Sequence, residues 1–414
     1  MLKLPQIFSN RMVIGKKAKL WGKSNPNGDV AITFIGISYN VETDNEGYFE
    51  IYISTEDYGG PYELNISNST NEVIISDVYV GYVWLFAGHF NIEFSSKEVQ
   101  PLLEKYIKNE SRIRTFHVQQ DYNTNVLPND VICTWHATQN NYDIPYFFAQ
   151  DLIQELDKNV IVGLINVTHN DTKVESWLNE HGIIYDNILS PILGYSVSGI
   201  AWHQCEASVY RANEYIQLFK KFTILLRNNF GKDIPIIFTQ LPNFNSLNSK
   251  INLPELREQQ RQCLNISNTA MVVTIDCENG NYIHPKYKEL VGKRIAICAK
   301  KLSLGFNIEI SGPTVANVVI LDGEFVVFFD NAYGMWTKNG KPKIEVIDIY
   351  GNVQHIYAEI VKESLRAPID DRTQVAKVKF GYEDCPSITI YNAQDLPATP
   401  FVFTNIAVAW DNYM

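Results

Sequence analysis

The sequence predicts an α/β domain, a parallel sheet with helices on both faces, flanked by N-terminal and C-terminal β-sandwich-like units. Three observations lead there. Between Val78 and Ser303, strand-like apolar runs alternate with amphipathic helical ones. Before and after, short alternating strands are broken by Gly, Pro and Asn turns. Finally, 414 residues, 45% apolar and 12% aromatic, exceed one ordinary domain and supply enough apolar surface for real cores. The expected divisions are 1–77, 78–303 and 304–414.

In the first segment, LWGKSNPNGDVAITFIG places a Pro-Asn-Gly turn between two strand-like runs. GYFEIYIS and GPYELNIS follow, with Tyr58-Gly59-Gly60-Pro61 read as the turn between them. The middle opens with VYVGYVWLFAG, a buried-strand run. DIPYFFAQDLIQELDKN is helical in period, NVIVGLINV and SVSGIAWHQ are strands, and NEYIQLFKKFTILLRNNFG is a helix with a glycine stop. DIPIIFTQL, the helical LPELREQQRQCLNI, TAMVVTIDC and the closing helix HPKYKELVGKRIAICAKKLS complete it. The last segment returns to β patterns in VANVVILDGEFVVFFDN, KPKIEVIDIYGNVQHIYAEIV and VAKVKFGY.

Forty-six acidic against 35 basic residues give a net charge of −11, which repels phosphate backbones; no nucleic-acid partner is expected. No apolar run approaches the roughly 18 residues of a membrane helix, so no membrane partner is expected either. MLKLPQIFSNRMVIG lacks the long apolar block of a secretory leader, and the expected location is cytoplasmic. The six cysteines form no CxxC pair and read as reduced thiols. Oligomeric state is not readable.

In parallel α/β sheets, ligands bind beyond the carboxyl ends of the strands. Four loops qualify: Ala87 to Glu93, Asn166 to Thr172, Trp202 to Ser208, and the stretch from Asp276 to His284-Pro285. His89, His169 and His203 fall in them, but clustering by loop alignment is a poor metal signal, and no metal or cofactor is expected. The charged side chains of the closing helix (Lys286, Lys288, Glu289, Lys293, Arg294) read as a solvated face.

Several blocks, in order, resemble the sialate O-acetylesterase family, carbohydrate esterases of the SGNH hydrolase fold. VYVGYVWLFAGHFNIEF resembles the block GEVWLCSGQSNMEF, and VGLINVTHNDTKVESW resembles VGLI-x-SSWGGT-x-IEAW. VSGIAWHQCEAS resembles GVIWYQGESN. LREQQRQCL, TAMVVTIDC and IHPKYKELVGKRIA resemble the family's final block, and NAQDLPATPF its closing NLYN-x-x-GLPA-x-PF.

The resemblance implies a serine esterase site, and the departures fall on it. Phe90 stands where the family has its nucleophilic Ser, and a phenyl ring has no lone pair to attack with. Asn170 and Asp171 match the Gly pair near the oxyanion, where a carboxylate opposes the developing charge. Cys205 and Ser208 match the third block's Gly and Asn. His284 matches the base, but Asn281 and Tyr282 stand where its orienting Asp belongs. His89, Asn91, His203, Gln204, Cys205 and Glu206 are the side chains these loops would offer an O-acetylated sugar or sialic acid. The expectation is a catalytically impaired or inactive relative that keeps carbohydrate binding. The alternative is an active O-acetylesterase with a rearranged site, Cys205 or Ser208 attacking, His284 as base and Asp276 or Glu278 behind it. A third reading makes the β units the working surface.

Overall fold

The protein was analysed as a computed structural model that describes residues 1–92, 111–118, 134–137, 143–169, 172–178, 182, 184–204, 206–245, 252–277, 280, 287–321, 323–370 and 373–409. They group into two units: Met1–Cys205, Leu218–Ile237 and Lys288–Gly305 in the first; Glu206–Gln217, Phe238–Tyr287 and Phe306–Met414 in the second. No helix among the described residues is long and apolar enough to cross a membrane.

The first unit begins with β strands: β1 (Val13–Ile14), β2 (Lys17–Lys23), β3 (Asp29–Phe34), β4 (Ile37–Glu42), β5 (Tyr48–Ser54), β6 (Gly59–Ser67) and β7 (Glu72–Val80). Strict alternation in β3 buries Val30, Ile32 and Phe34 on one face, as a half-buried strand must. The runs flanking the Pro-Asn-Gly turn do not pair with each other. β2 pairs with β5, whereas β3 joins the sheet β1-β7-β6-β3-β4. The turn expected at Tyr58–Pro61 is also corrected. Gly59 and Gly60 lie inside β6, at φ +146° and +147°, and bend the strand through bulges rather than reversing it.

The elements that follow are β8 (Tyr82–His89), β9 (Ile113–His117), β10 (His136–Ala137), α1 (Ile144–Leu152), β11 (Val162–His169), β12 (Gly199–His203), α2 (Tyr215–Phe230), β13 (Ile236–Thr239), α3 (Leu253–Gln262), β14 (Thr269–Val272) and α4 (Lys288–Leu304). VYVGYVWLFAG, expected as one strand, is two. β7 stops at Val80, and the chain changes sheets at Gly81, whose N–H goes to Ile14 O (2.8 Å) while that of Tyr82 goes to Ile161 O (3.0 Å). A continuous apolar run hides such a crossing because both halves are buried.

Within the first unit the central strands lie in the order β10-β9-β11-β8-β12, all parallel except β10. β8 is buried on both faces, which is why its sequence is apolar throughout rather than alternating. On one face Trp84 and Phe86 meet Phe148 of α1, with ring centroids 5.0 and 5.1 Å apart. Trp202 packs between Trp177 (5.3 Å, edge-on) and Phe222 of α2 (4.5 Å). The register places His169 opposite His89 and His203 opposite Gly88, so three strands end together at one edge of the sheet.

The second unit holds a kinked 3-10 segment, Glu206–Glu214, the helix α3 and the strand β14. Its β part contains β15 (Thr314–Leu321), β16 (Glu324–Asp330), β17 (Trp336–Thr337), β18 (Lys343–Asp348), β19 (Val353–Tyr357), β20 (Glu359–Val361), β21 (Ser364–Pro368), β22 (Val375–Phe380), β23 (Ile390–Tyr391), β24 (Phe401–Phe403) and β25 (Ala407–Ala409). They form sheets in the orders β20-β21-β16-β15-β25, β19-β18-β22-β24 and β17-β23. The β18–β19 turn is closed by Asp348, whose carboxylate accepts from the N–H groups of Tyr350 (2.9 Å) and Asn352 (2.8 Å).

One buried cation organises the loops of this unit. Arg257 of α3 is fully buried and donates to four carbonyls: Leu241 (2.9 Å), Pro242 (2.6 Å), Glu383 (2.8 Å) and Asp384 (2.8 Å). Burial pushes its pKa down to about 10, while nearby Asp384 leads the groups that favour the charged form. The planar fork matches four fixed acceptors as no other side chain can. Replacing it with Met strands those carbonyls, so Arg257→Met should cost on the order of 3–5 kcal/mol, and Arg257→Lys should recover little of it. Calorimetric unfolding of the three proteins checks this; a Lys variant melting with the wild type would refute the fork's role.

Candidate functional site

The site is built where β8 runs out. Gly88 sits at φ +116°, and a Cβ there would lie 2.2 Å from the carbonyl oxygen of His203, so only glycine lets β8 and β12 approach at this point. After His89 the chain enters a 3-10 turn, Phe90–Ile92. Phe90 is its first residue; its backbone belongs to the turn, and its side chain lies outside the described part.

Asn91, 2% exposed, is the hub. Its N–H donates to Nδ1 of His89 at 3.2 Å, and its side-chain nitrogen lies 3.2 Å from Nε2 of His203. Lys288, at the first turn of α4 and 3% exposed, donates its ammonium to Asn91 O (2.7 Å) and to Asn91 Oδ1. These bonds assign the ring protons. Because Oδ1 takes a proton from Lys288, the amide end facing His203 is Nδ2, a donor; His203 Nε2 therefore accepts, and Nδ1 carries the proton. His89 accepts at Nδ1 and carries its proton at Nε2. With centroids 6.4 Å apart, the two rings flank Asn91, and each gives it a nitrogen lone pair.

Gln204, 1% exposed, continues the frame by donating to Thr172 O at 3.2 Å. Thr172 Oγ1 accepts from the indole of Trp177 at 2.9 Å, fixing the chain just past Asn170 and Asp171. The structure thus brings together four of the expected binding residues, His89, Asn91, His203 and Gln204, in the first unit. His169 ends β11 in register with His89. Glu206 and Ser208 belong to the 3-10 segment of the second unit. There Ser208 is buried, and among the described residues nothing hydrogen-bonds to its Oγ. Asp276, in the same unit, accepts from Tyr391 Oη at 3.5 Å. Asn170, Asp171, Cys205, Glu278, Asn281, Tyr282 and His284 lie outside the described residues.

Lys288 overturns the solvated-face expectation for α4. Lys293 does sit outside, 2.6 Å from Glu289, but Lys288 and Arg294 are 3% and 5% exposed. The signal was in the helical spacing: Lys288 lines up with Val291, Gly292 and Ile295, all buried, and so stands on the apolar stripe. A lysine there needs oxygens, and Asn91 supplies two. Thr172 and Trp177 were likewise missed as frame residues. Of the scattered thiols, burial pushes Cys263 and Cys298 up to about 12, which leaves them unreactive. Among the described residues no group of three or more His, Cys, Asp or Glu side chains gathers as a metal site would require.

A parallel sheet whose polar side chains collect past the strands' carboxyl ends defines an α/β domain of the hydrolase kind, with its site at that edge. More narrowly, the chain belongs to the family of carbohydrate esterases described as sialic acid-specific acetylesterases, whose family model matches residues 80–298. Among solved structures, a carbohydrate acetylesterase from Xanthomonas citri is similar at 24% identity, over 98% of this chain and 100% of that one, with a TM-score of 0.87; it shares the fold, flanking β units included. A protein from Arabidopsis thaliana (14% identity, 54% of this chain, 99% of that chain, TM-score 0.42) is also similar. So is an acetyl xylan esterase from the rumen bacterium Butyrivibrio proteoclasticus (11%, 71%, 89%, 0.30). No curated protein matches the sequence significantly.

The buried role of Lys288 is directly testable. Lys288→Met keeps the stem and removes the ammonium, leaving Asn91 O and Oδ1 without it; it should destabilise the protein by about 2–4 kcal/mol. Lys293→Met, which loses only an exposed pair, should change stability by less than about 0.5 kcal/mol. Equal melting shifts for the two variants would remove Lys288 from the frame.

Proposed function

We propose that this protein is a family member without serine-esterase turnover, and that its altered cleft holds a carbohydrate instead of cleaving an acetyl ester from it. The observation that carries this is the pair Phe90–Asn91. At the position matching the nucleophile there is an aromatic ring, and at the next residue the polar frame is intact, with Asn91 engaged through its N–H, carbonyl and both ends of its side-chain amide. Sugar hydroxyls need fixed donors and acceptors; acyl transfer needs, in addition, an attacking atom. His203 offers no second base at Nε2, which already accepts from Asn91. The family supports a carbohydrate as the ligand class.

The rearranged esterase is disfavoured by Ser208. Ser208 is buried, whereas a serine that attacks an ester must present its Oγ to the substrate. The carboxylate of Asp276, offered as the orienting acid, is engaged by Tyr391.

Purified protein should hydrolyse 4-nitrophenyl acetate no faster than buffer. Turnover abolished by Cys205→Ala or Ser208→Ala would overturn the proposal. Calorimetry with N-acetylneuraminic acid should give a saturable isotherm. Phe90→Ser alone should gain little, because the residues matching the orienting acid and the oxyanion Gly are still replaced. Adding Tyr282→Asp and Asp171→Gly should raise turnover by on the order of 100-fold or more over the single variant. Equal rates for the single and triple variants would mean that these positions do not form one site.

A further inference from the structure

The C-terminal β part presents an aromatic surface that neither the cleft nor the core explains. Trp336 of β17 stacks on Tyr391 of β23, its cross-strand partner, with centroids 5.2 Å apart and planes at 26°. Its indole N–H donates to Asn392 O at 3.1 Å. Asn392 is itself fully buried and tied down: its side chain donates to Ser311 O (3.0 Å) and Asn331 O (3.1 Å) and accepts from the N–H groups of Gln394 and Leu396 (3.1 Å each). Trp336 is therefore held at one face and at its nitrogen, yet remains 39% exposed. Tyr333, three residues earlier, is 74% exposed while its carbonyl is pinned by Ala393 N–H at 3.0 Å. Two large rings are thus offered to solvent on an anchored backbone.

We infer that this surface binds a carboxylated pyranose, separately from the cleft. What surrounds the rings selects this occupant. Thr337, Lys338 and Asn339 follow Trp336 and are all exposed, so polar side chains border the rings on that side. A protein partner would seek an apolar core around such an anchor. A pyranose needs only one ring-sized platform for its C–H face, plus polar neighbours for its hydroxyls. Lys338 adds the charge. Just past the end of β17, it holds Nζ 5.8 Å from the same Tyr391 ring on which Trp336 stacks. Among the described residues it makes no ion pair, in a chain whose net charge is −11. A ligand carboxylate placed beside the platform would meet that ammonium. Because Trp336 is already held by its stack on Tyr391 and by its N–H, little of its side-chain entropy is lost on binding.

The inference does not depend on the cleft, and one titration separates them. Full-length protein is titrated by calorimetry with N-acetylneuraminic acid and with its methyl ester, which keeps the ring and removes the charge. Wild type should bind the acid at this site with a dissociation constant on the order of 1 mM. Trp336→Ala, with its fold verified by circular dichroism, should weaken that binding at least tenfold. Lys338→Gln should leave the ester unaffected and erase the preference for the acid. Asn91→Leu, with its fold verified in the same way, should leave the platform isotherm intact. If Asn91→Leu removes all binding and Trp336→Ala removes none, the platform fails and the cleft reading stands; the reverse pattern sinks the cleft and keeps the platform. Equal affinity for acid and ester, no binding of either, or self-association of the chain that Trp336→Ala abolishes would each overturn the proposal.

Discussion

An ammonium enclosed by the amide of one asparagine is the contact on which this architecture turns. Lys288 is nearly inaccessible, and placing a cation there is costly unless oxygens replace its water. Asn91 provides two, one from its backbone and one from its side chain. That choice propagates. It orients the amide, the amide fixes the tautomer of His203, and the backbone N–H of Asn91 fixes that of His89. The start of α4, the turn after β8 and the end of β12 are thereby held by one chain of hydrogen bonds.

This chain of bonds holds the loops independently of any reacting group. In a serine esterase the nucleophile contributes reactivity, while its neighbours hold the loops. Here the neighbours are buried polar groups whose removal would leave partners unsatisfied inside a close-packed core. None of the bonds around Asn91 involves residue 90. Arg257 plays a comparable part in the second unit, where four carbonyls rather than one amide receive the buried cation. In both cases a cation is satisfied by neutral oxygens, whose geometry then fixes loops.

Much of this was legible in the chain, for physical reasons. Strands buried on two faces give unbroken apolar runs, and helices on a sheet give a 3.6-residue period, so the alternation of β8, α1, β11, β12 and α2 could be read directly. The rule that ligands gather at carboxyl strand ends led to His89, Asn91, His203 and Gln204. The same reasoning fails where burial hides a change of direction. The split at Gly81 left the apolar run intact, and the glycines of β6 imitate a turn because φ values that suit a reversal also suit a bulge. β9 escaped notice because IRTFH is short and carries an Arg and a His. Lys288 was misjudged by residue type although its spacing from Val291 and Ile295 placed it inside. Partner choice within the site, including which ring nitrogen accepts, depends on distances that no spacing encodes.

Binding and turnover make different demands on the same walls. A ground-state complex is stabilised by donors and acceptors already in place, whereas rate acceleration comes only from interactions that strengthen as charge develops on the reacting atoms. The frame around Asn91 belongs to the first kind, because its hydrogen bonds are made before any ligand arrives. Buried as it is, such a frame acts by holding the loops around it in one arrangement. Selectivity in a site with fixed loops comes from leaving a buried donor or acceptor unmatched when the wrong ligand enters.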